Sequence, residues 1–148
     1  MIEDKIWDIL ISEAMQVASK ERILSKVLTE FVLERESLAD ALGWRLAARL
    51  VKNSVPESDI RELIKDAFDK DKQMLRSVEL DLFAVRERDP ACNDFLSPFM
   101  YFKGFQALCC YRVANFLWKN DRKDLAIYIQ SLIAVVYSVD IHPAARIG

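Results

Sequence analysis

Residues 125–148 read LAIYIQSLIAVVYSVDIHPAARIG, and the change of pattern within them decides the fold. The first fifteen, 125–139, are the most apolar stretch of the chain. They fall short of the roughly 20 residues a membrane span needs, and they contain Gln130 and Ser131, so a buried helix is expected. Pro143 ends any helix. Around it a different spacing begins: Ile141 and Ile147 stand six apart, with Ala145 between them and Gly148 directly after. One aliphatic residue every six, with a small residue four later, opens a hexapeptide β-helix pattern, each six forming one side of a triangular coil. A plain Pro-containing tail is the alternative reading of this single period. The expected organisation is a helical domain over residues 1–138 and the start of a second architecture over residues 139–148.

Upstream of this stretch the pattern is helical throughout. Ile6, Leu10, Ala14, Val17 and Ala18 recur at helical spacing, and so do Ile23, Leu24, Val27, Leu28, Phe31 and Val32. Ser37 is placed to cap a helix carrying Leu38, Ala41, Leu42, Leu46 and Leu50. The segment Asn53-Ser54-Val55-Pro56 breaks it, with Pro56 in the first turn of a helix bearing Ile60, Leu63, Ile64, Ala67 and Phe68. Met74, Leu75, Val78, Leu82 and Val85 mark the next, which ends near Arg88 because Pro90 pushes Asp89 out of the helical region. Ser97-Pro98 opens a strongly apolar helix to about Lys119. After the connection Asn120-Asp121-Arg122, a last helix runs from about Lys123 to Tyr137. The aromatics Phe99, Tyr101, Phe102, Phe105, Tyr111, Phe116 and Trp118 lie all round the 97–119 helix. Such a helix is either central in a core or shared with another subunit.

Composition fits one globular domain. The 148 residues are 52% hydrophobic and 30% charged, with only three Gly and four Pro to encode turns. A chain of this size folds without metal or disulfides. The net charge of −2 includes no clustered basic face, which argues against nucleic acid. Cys92, Cys109 and Cys110 form no disulfide framework, and the amino terminus MIEDKIWD has no signal-peptide character, so a reducing, cytoplasmic setting is expected.

Few residues carry chemistry. His142 is the single histidine, so any Ser-His-Asp or Cys-His arrangement has to use it. No CxxC occurs, and adjacent cysteines on one helix cannot point both sulfurs at one metal. Lys103, Arg112 and Arg122 are ordinary surface or interface groups. Asp89 and Asp140 each lie at a helix edge beside a Pro-containing turn. There a carboxylate can bind an ammonium group or orient an imidazole, or serve only as a solvated turn or capping residue. His142 is equally readable as a hydrogen-bonded turn residue.

Three blocks carry a family resemblance: residues 81–91 (DLFAVRERDPA), residues 101–108 (YFKGFQAL) continuing through Tyr111-Arg112 to Leu117-Trp118, and residues 140–148 (DIHPAARIG). They resemble serine O-acetyltransferase over about the carboxy-terminal half of the chain. Residues 1–70 resemble that family only in helical character, and Gln106 stands where the family more often has His. The resemblance implies an all-α, multi-helix amino-terminal domain ending at the first turn of a left-handed parallel β-helix. It implies an acyltransferase that moves acetyl from acetyl-CoA to L-serine, giving O-acetyl-L-serine for cysteine biosynthesis.

By the same resemblance Asp140 is the catalytic carboxylate that orients a general-base His. Asp89 holds the substrate amino group, in a pocket that the inhibitor L-cysteine shares. His142 matches a family His near the site, but not the base. The base, the groups for the substrate carboxylate, the CoA site and the tail that docks into O-acetylserine sulfhydrylase all lie beyond Gly148 in the family. The 148 residues are thus expected to be inactive alone, to bind no cofactor or metal, and to self-associate as a dimer, the parent forming a hexamer of two trimers. No nucleic acid or membrane partner is expected. The competing reading is a stand-alone helical interaction module without catalysis.

Overall fold

Short connections separate the helices, which pack back on one another. A computed structural model describes residues 2–51 and 54–147, with side chains from Lys5 onward; the expected break at Asn53 and the hexapeptide Gly148 lie outside the described residues. Among the described residues there are eight α-helices and no strand, in agreement with the all-α expectation. They are α1 (Ile2–Lys20), α2 (Arg22–Leu28), α3 (Leu38–Leu50), α4 (Glu57–Lys70), α5 (Lys72–Arg88), α6 (Leu96–Tyr101), α7 (Lys103–Lys119) and α8 (Lys123–Tyr137). A π-type turn at Thr29–Leu33 extends α2.

The capping chemistry follows the sequence. The Ser37 hydroxyl accepts the Asp40 N–H at 3.1 Å and starts α3. Pro56 directly precedes α4, and the Asp71 carboxylate accepts the Met74 N–H at 3.0 Å to start α5. α3 and α4 pack along one another, as do α7 and α8. The first pair approaches closely at Gly43, where a Cβ would stand 2.8 Å from the Arg61 carbonyl oxygen. Beside it the Trp44 ring lies 3.9 Å from the Arg35 guanidinium carbon and 3.6 Å from that of Arg61. At those distances the two cations must occupy opposite faces of the ring, which ties the turn before α3 to α4.

One feature differs from the expected single helix over 97–119. The chain leaves helical geometry at Phe102, with ψ 113°, and divides α6 from α7. Side chains, rather than a further helical turn, take the carbonyls this break exposes. The Gln106 amide donates to the Phe99 and Met100 oxygens at 3.1 and 2.9 Å, and the Arg45 guanidinium donates to Met100 at 2.8 Å. α7 itself packs against α4, α5, α6 and α8, so its all-round apolar surface is the centre of the core. Phe68, Phe95 and Phe99 are wholly buried around it, each contributing about 1.5–3 kcal/mol by burial.

Candidate functional site

Asp89 closes α5. Its N–H bonds the Val85 carbonyl at 3.0 Å, its own carbonyl accepts the Cys92 N–H at 2.9 Å, and its Oδ1 accepts the Ala91 N–H at 2.9 Å. This is the turn role composition suggests, and it uses one carboxylate oxygen. Among the described residues Oδ2 makes no hydrogen bond. Asp89 also lines a cleft of about 590 Å³ between the end of α5 and the first half of α7, a volume suited to a small ligand. Its apolar wall includes Val85, Pro90, Phe102, Phe105 and Leu108. Gly104 leaves that wall open, for a Cβ there would meet nothing within 4 Å.

The cleft holds two carboxylates with different states. Asp81 is engaged by Arg112, with oxygen–nitrogen distances of 3.0–3.2 Å, in a bridge between α5 and α7. Burial raises its carboxyl above the ordinary range, and the Arg112 charge and hydrogen bond oppose that rise. Asp89 is therefore the carboxylate left to meet a cation in the cleft.

Asp140 and His142 lie elsewhere. Ser138 takes the left-handed conformation, φ 57°, after the last turn of α8 and redirects the chain. Asp140 is exposed, and its Oδ1 accepts the Gln130 Nε2–H at 2.9 Å. His142 Nδ1 accepts the Ala144 N–H at 3.0 Å, and its ring lies edge-on to Trp118 at 4.8 Å. Both His142 contacts fit a turn residue. Ile141 is half-buried and Ile147 is 37% exposed.

Asp89 and Asp140 do not line one cavity, but one helix relates them. α7 borders the Asp89 cleft with Gly104, Phe105 and Leu108. One face further along holds the carboxy-terminal segment: Tyr111 OH donates to the Ala145 carbonyl, Asn115 Nδ2 donates to Pro143 at 2.7 Å, and Trp118 meets His142. Leu108 and Asn115 are separated by two turns, about 10 Å along the axis. Sequence reasoning missed this clamp and Gln130. The spacing of Tyr111, Asn115 and Trp118 is the signal that was there to be read. Cys92, Cys109 and Cys110 are buried free thiols, and among the described residues no cluster of His, Cys, Asp or Glu could hold a metal. Among the described residues no helix is long and apolar enough to cross a membrane.

Comparison with known proteins finds relatives of both the sequence and the fold. A family model described as the serine acetyltransferase amino-terminal region matches residues 6–110. Serine acetyltransferase of Escherichia coli K12 is 39% identical over 143 residues, covering 97% of this chain and 52% of that protein. A probable serine acetyltransferase of Oryza sativa is 41% identical, covering 98% and 46%. The chain thus spans about half the length of the curated relatives it matches.

Solved structures superpose closely. A serine acetyltransferase in complex with CoA gives a TM-score of 0.95 at 36% identity, covering 99% of this chain and 62% of that one. The soybean enzyme complexed with serine gives 0.94 at 36%, covering 99% and 60%. A complex with cysteine gives 0.93 at 37%, covering 97% and 60%. With a family model over residues 6–110 and a solved relative superposing over 99% of the chain, the chain belongs to the serine acetyltransferase family, carrying its amino-terminal helical region.

Proposed function

We propose that these residues form the amino-group side of a serine acetyltransferase site, in a protein that transfers acetyl from acetyl-CoA to L-serine to give O-acetyl-L-serine for cysteine synthesis. The observation that carries the reading is the Asp89 carboxylate on the wall of the 590 Å³ cleft, beside an Asp81 already neutralised by Arg112. Asp89 holds the substrate ammonium group, and L-cysteine, which presents the same group, competes for it. Relatives solved with CoA, with serine and with cysteine support these ligands. Residues 139–148 begin the hexapeptide β-helix, and Asp140 orients the imidazole that takes the serine proton. That imidazole, the CoA site and the segment that docks into O-acetylserine sulfhydrylase are assigned to sequence outside these 148 residues. His142 is not assigned the role, since its Nδ1 already accepts a backbone N–H.

The test is a thiol-release assay with the complete gene product that carries these residues. Asp89→Asn weakens serine use and cysteine inhibition together, each by roughly 10–100-fold, the worth of a charge-assisted hydrogen bond. Asp140→Asn lowers kcat by about 10²–10⁴. The 148 residues alone show no serine-dependent release. A variant at Asp89 that loses serine but keeps cysteine inhibition overturns the shared pocket. A complete gene product without any transfer favours the interaction module instead.

A further inference from the structure

We infer that Gln130 is a positioning residue for the proposed transfer: its side-chain amide holds one oxygen of Asp140 so that the other faces the imidazole that deprotonates serine. The inference rests on the Asp140 assignment above. A carboxylate at the end of an exposed segment rotates about its own bond, and both things it gives a neighbouring imidazole, a fixed orientation and a charge to stabilise the imidazolium, depend on where its oxygens point. Here two independent restraints remove that freedom. α7 fixes the chain on one side of Asp140, through the Asn115 bond to the Pro143 carbonyl and the Tyr111 bond to Ala145. α8 fixes the carboxylate itself, through Gln130 Nε2 to Oδ1 at 2.9 Å. Gln130 can hold a position because its neighbours anchor the helix: Ile129 and Ile133 are 1% and 3% exposed.

The choice of an amide has a chemical consequence. Lys or Arg at this position would also donate to Asp140, but would cancel the negative charge that stabilises an imidazolium as it forms. A neutral donor fixes the geometry and leaves the charge in place. The left-handed turn at Ser138 brings a residue ten positions later in the chain back to Gln130.

The experiment uses the complete gene product and the same thiol-release assay. Gln130→Met keeps the shape and removes the donor. It lowers kcat roughly tenfold, the scale of one hydrogen bond to a charged group, with the KM for serine and acetyl-CoA within about twofold and an unchanged melting temperature. Gln130→Glu sets two carboxylates together, so it is slower than Gln130→Met at alkaline pH. The gap closes as pH falls and the introduced carboxyl becomes a donor, a pH signature that a purely structural role would not give. In an Asp140→Asn background, Gln130→Met has no further effect. Wild-type kcat for Gln130→Met, or full additivity with a damaging Asp140→Asn, overturns the role of Gln130 and leaves the Asp140 assignment standing. An Asp140→Asn variant at full rate removes both.

Discussion

Glu13 does the work of a helix cap from another part of the chain. Its carboxylate on α1 accepts the Phe95 and Leu96 N–H groups, both at 3.1 Å, at the start of α6. Glu13→Ala strands both donors and costs about 1–3 kcal/mol in urea denaturation. Burial raises the Glu13 carboxyl above its usual 4.5, more than the Phe95 and Leu96 hydrogen bonds lower it. A raised folded-state value means the native state holds the proton more tightly. The contribution of Glu13 is therefore full below pH 4.5 and declines as pH rises through its folded-state value. The stability difference between wild type and Glu13→Gln should shrink in favour of the variant over that rise, and a difference that grows would contradict the assignment.

The thiols follow the same electrostatics. Burial pushes Cys110 up to about 12 and raises Cys109 as well. At pH 8 the thiolate fraction of Cys110 is then about 10⁻⁴. A disulfide reagent should leave Cys109 and Cys110 untouched in the native chain and modify all three cysteines in denaturant, as mass mapping of the peptides would reveal. Asp89 was legible as a turn residue because Pro90 follows it. Glu13 was not, because its partners are 82 and 83 residues away and nothing in the local pattern of α1 marks it.

At the scale of elements, the ends written by Ser37, Pro56, Pro90 and Asn120 are where local chemistry predicts them. The division of α6 from α7 is different. Phe102 is neither Gly nor Pro, and the break is stabilised by a network assembled from four helices. Gln106 of α7 bonds the last carbonyls of α6, Arg45 of α3 bonds the same turn, and the Tyr137 hydroxyl of α8 donates to Gln106 Oε1 at 3.3 Å. Burial raises the Tyr137 hydroxyl and keeps it protonated, and so a donor, at any ordinary pH. Gln106 is wholly buried, so the departure noted there is a structural hub, not a surface variation. Gln106→Leu should fill the space and still cost about 1–3 kcal/mol, because the buried Phe99 carbonyl loses its donor. Loss of less than about 0.5 kcal/mol, by denaturant midpoint at constant slope, would show that water replaces the amide.

At the scale of the molecule, the apolar surface that suggested a shared interface has been redistributed. α7 spends its aromatic circumference inside, on α4, α5, α6 and α8. Apolar surface remains outside at several places, Val135 at 63% and Leu80 at 52% among them, and one cluster lies at the amino-terminal end, where Ile23 is 87% exposed, Met15 59% and Val27 36%. Ile23 and Val27 are one turn apart on α2 and share a face, with exposed Arg22 and Lys26 beside them. An aliphatic residue exposed to that degree on a seven-residue helix contributes nothing to the core of its own chain. A helix that short is also marginal in water by itself. Burying this face against a second copy would stabilise both the helix and the contact. A specific interface needs about 800 Å² per partner, so the contact has to extend from α2 onto the adjoining face of α1. We therefore expect the 148 residues to self-associate as a dimer through α1 and α2. Light scattering over a concentration series decides it, with Ile23→Glu/Val27→Glu as the control that returns the mass to one chain. A strictly monomeric wild type at tens of micromolar defeats the expectation, and a dimer indifferent to both substitutions moves the interface away from α2.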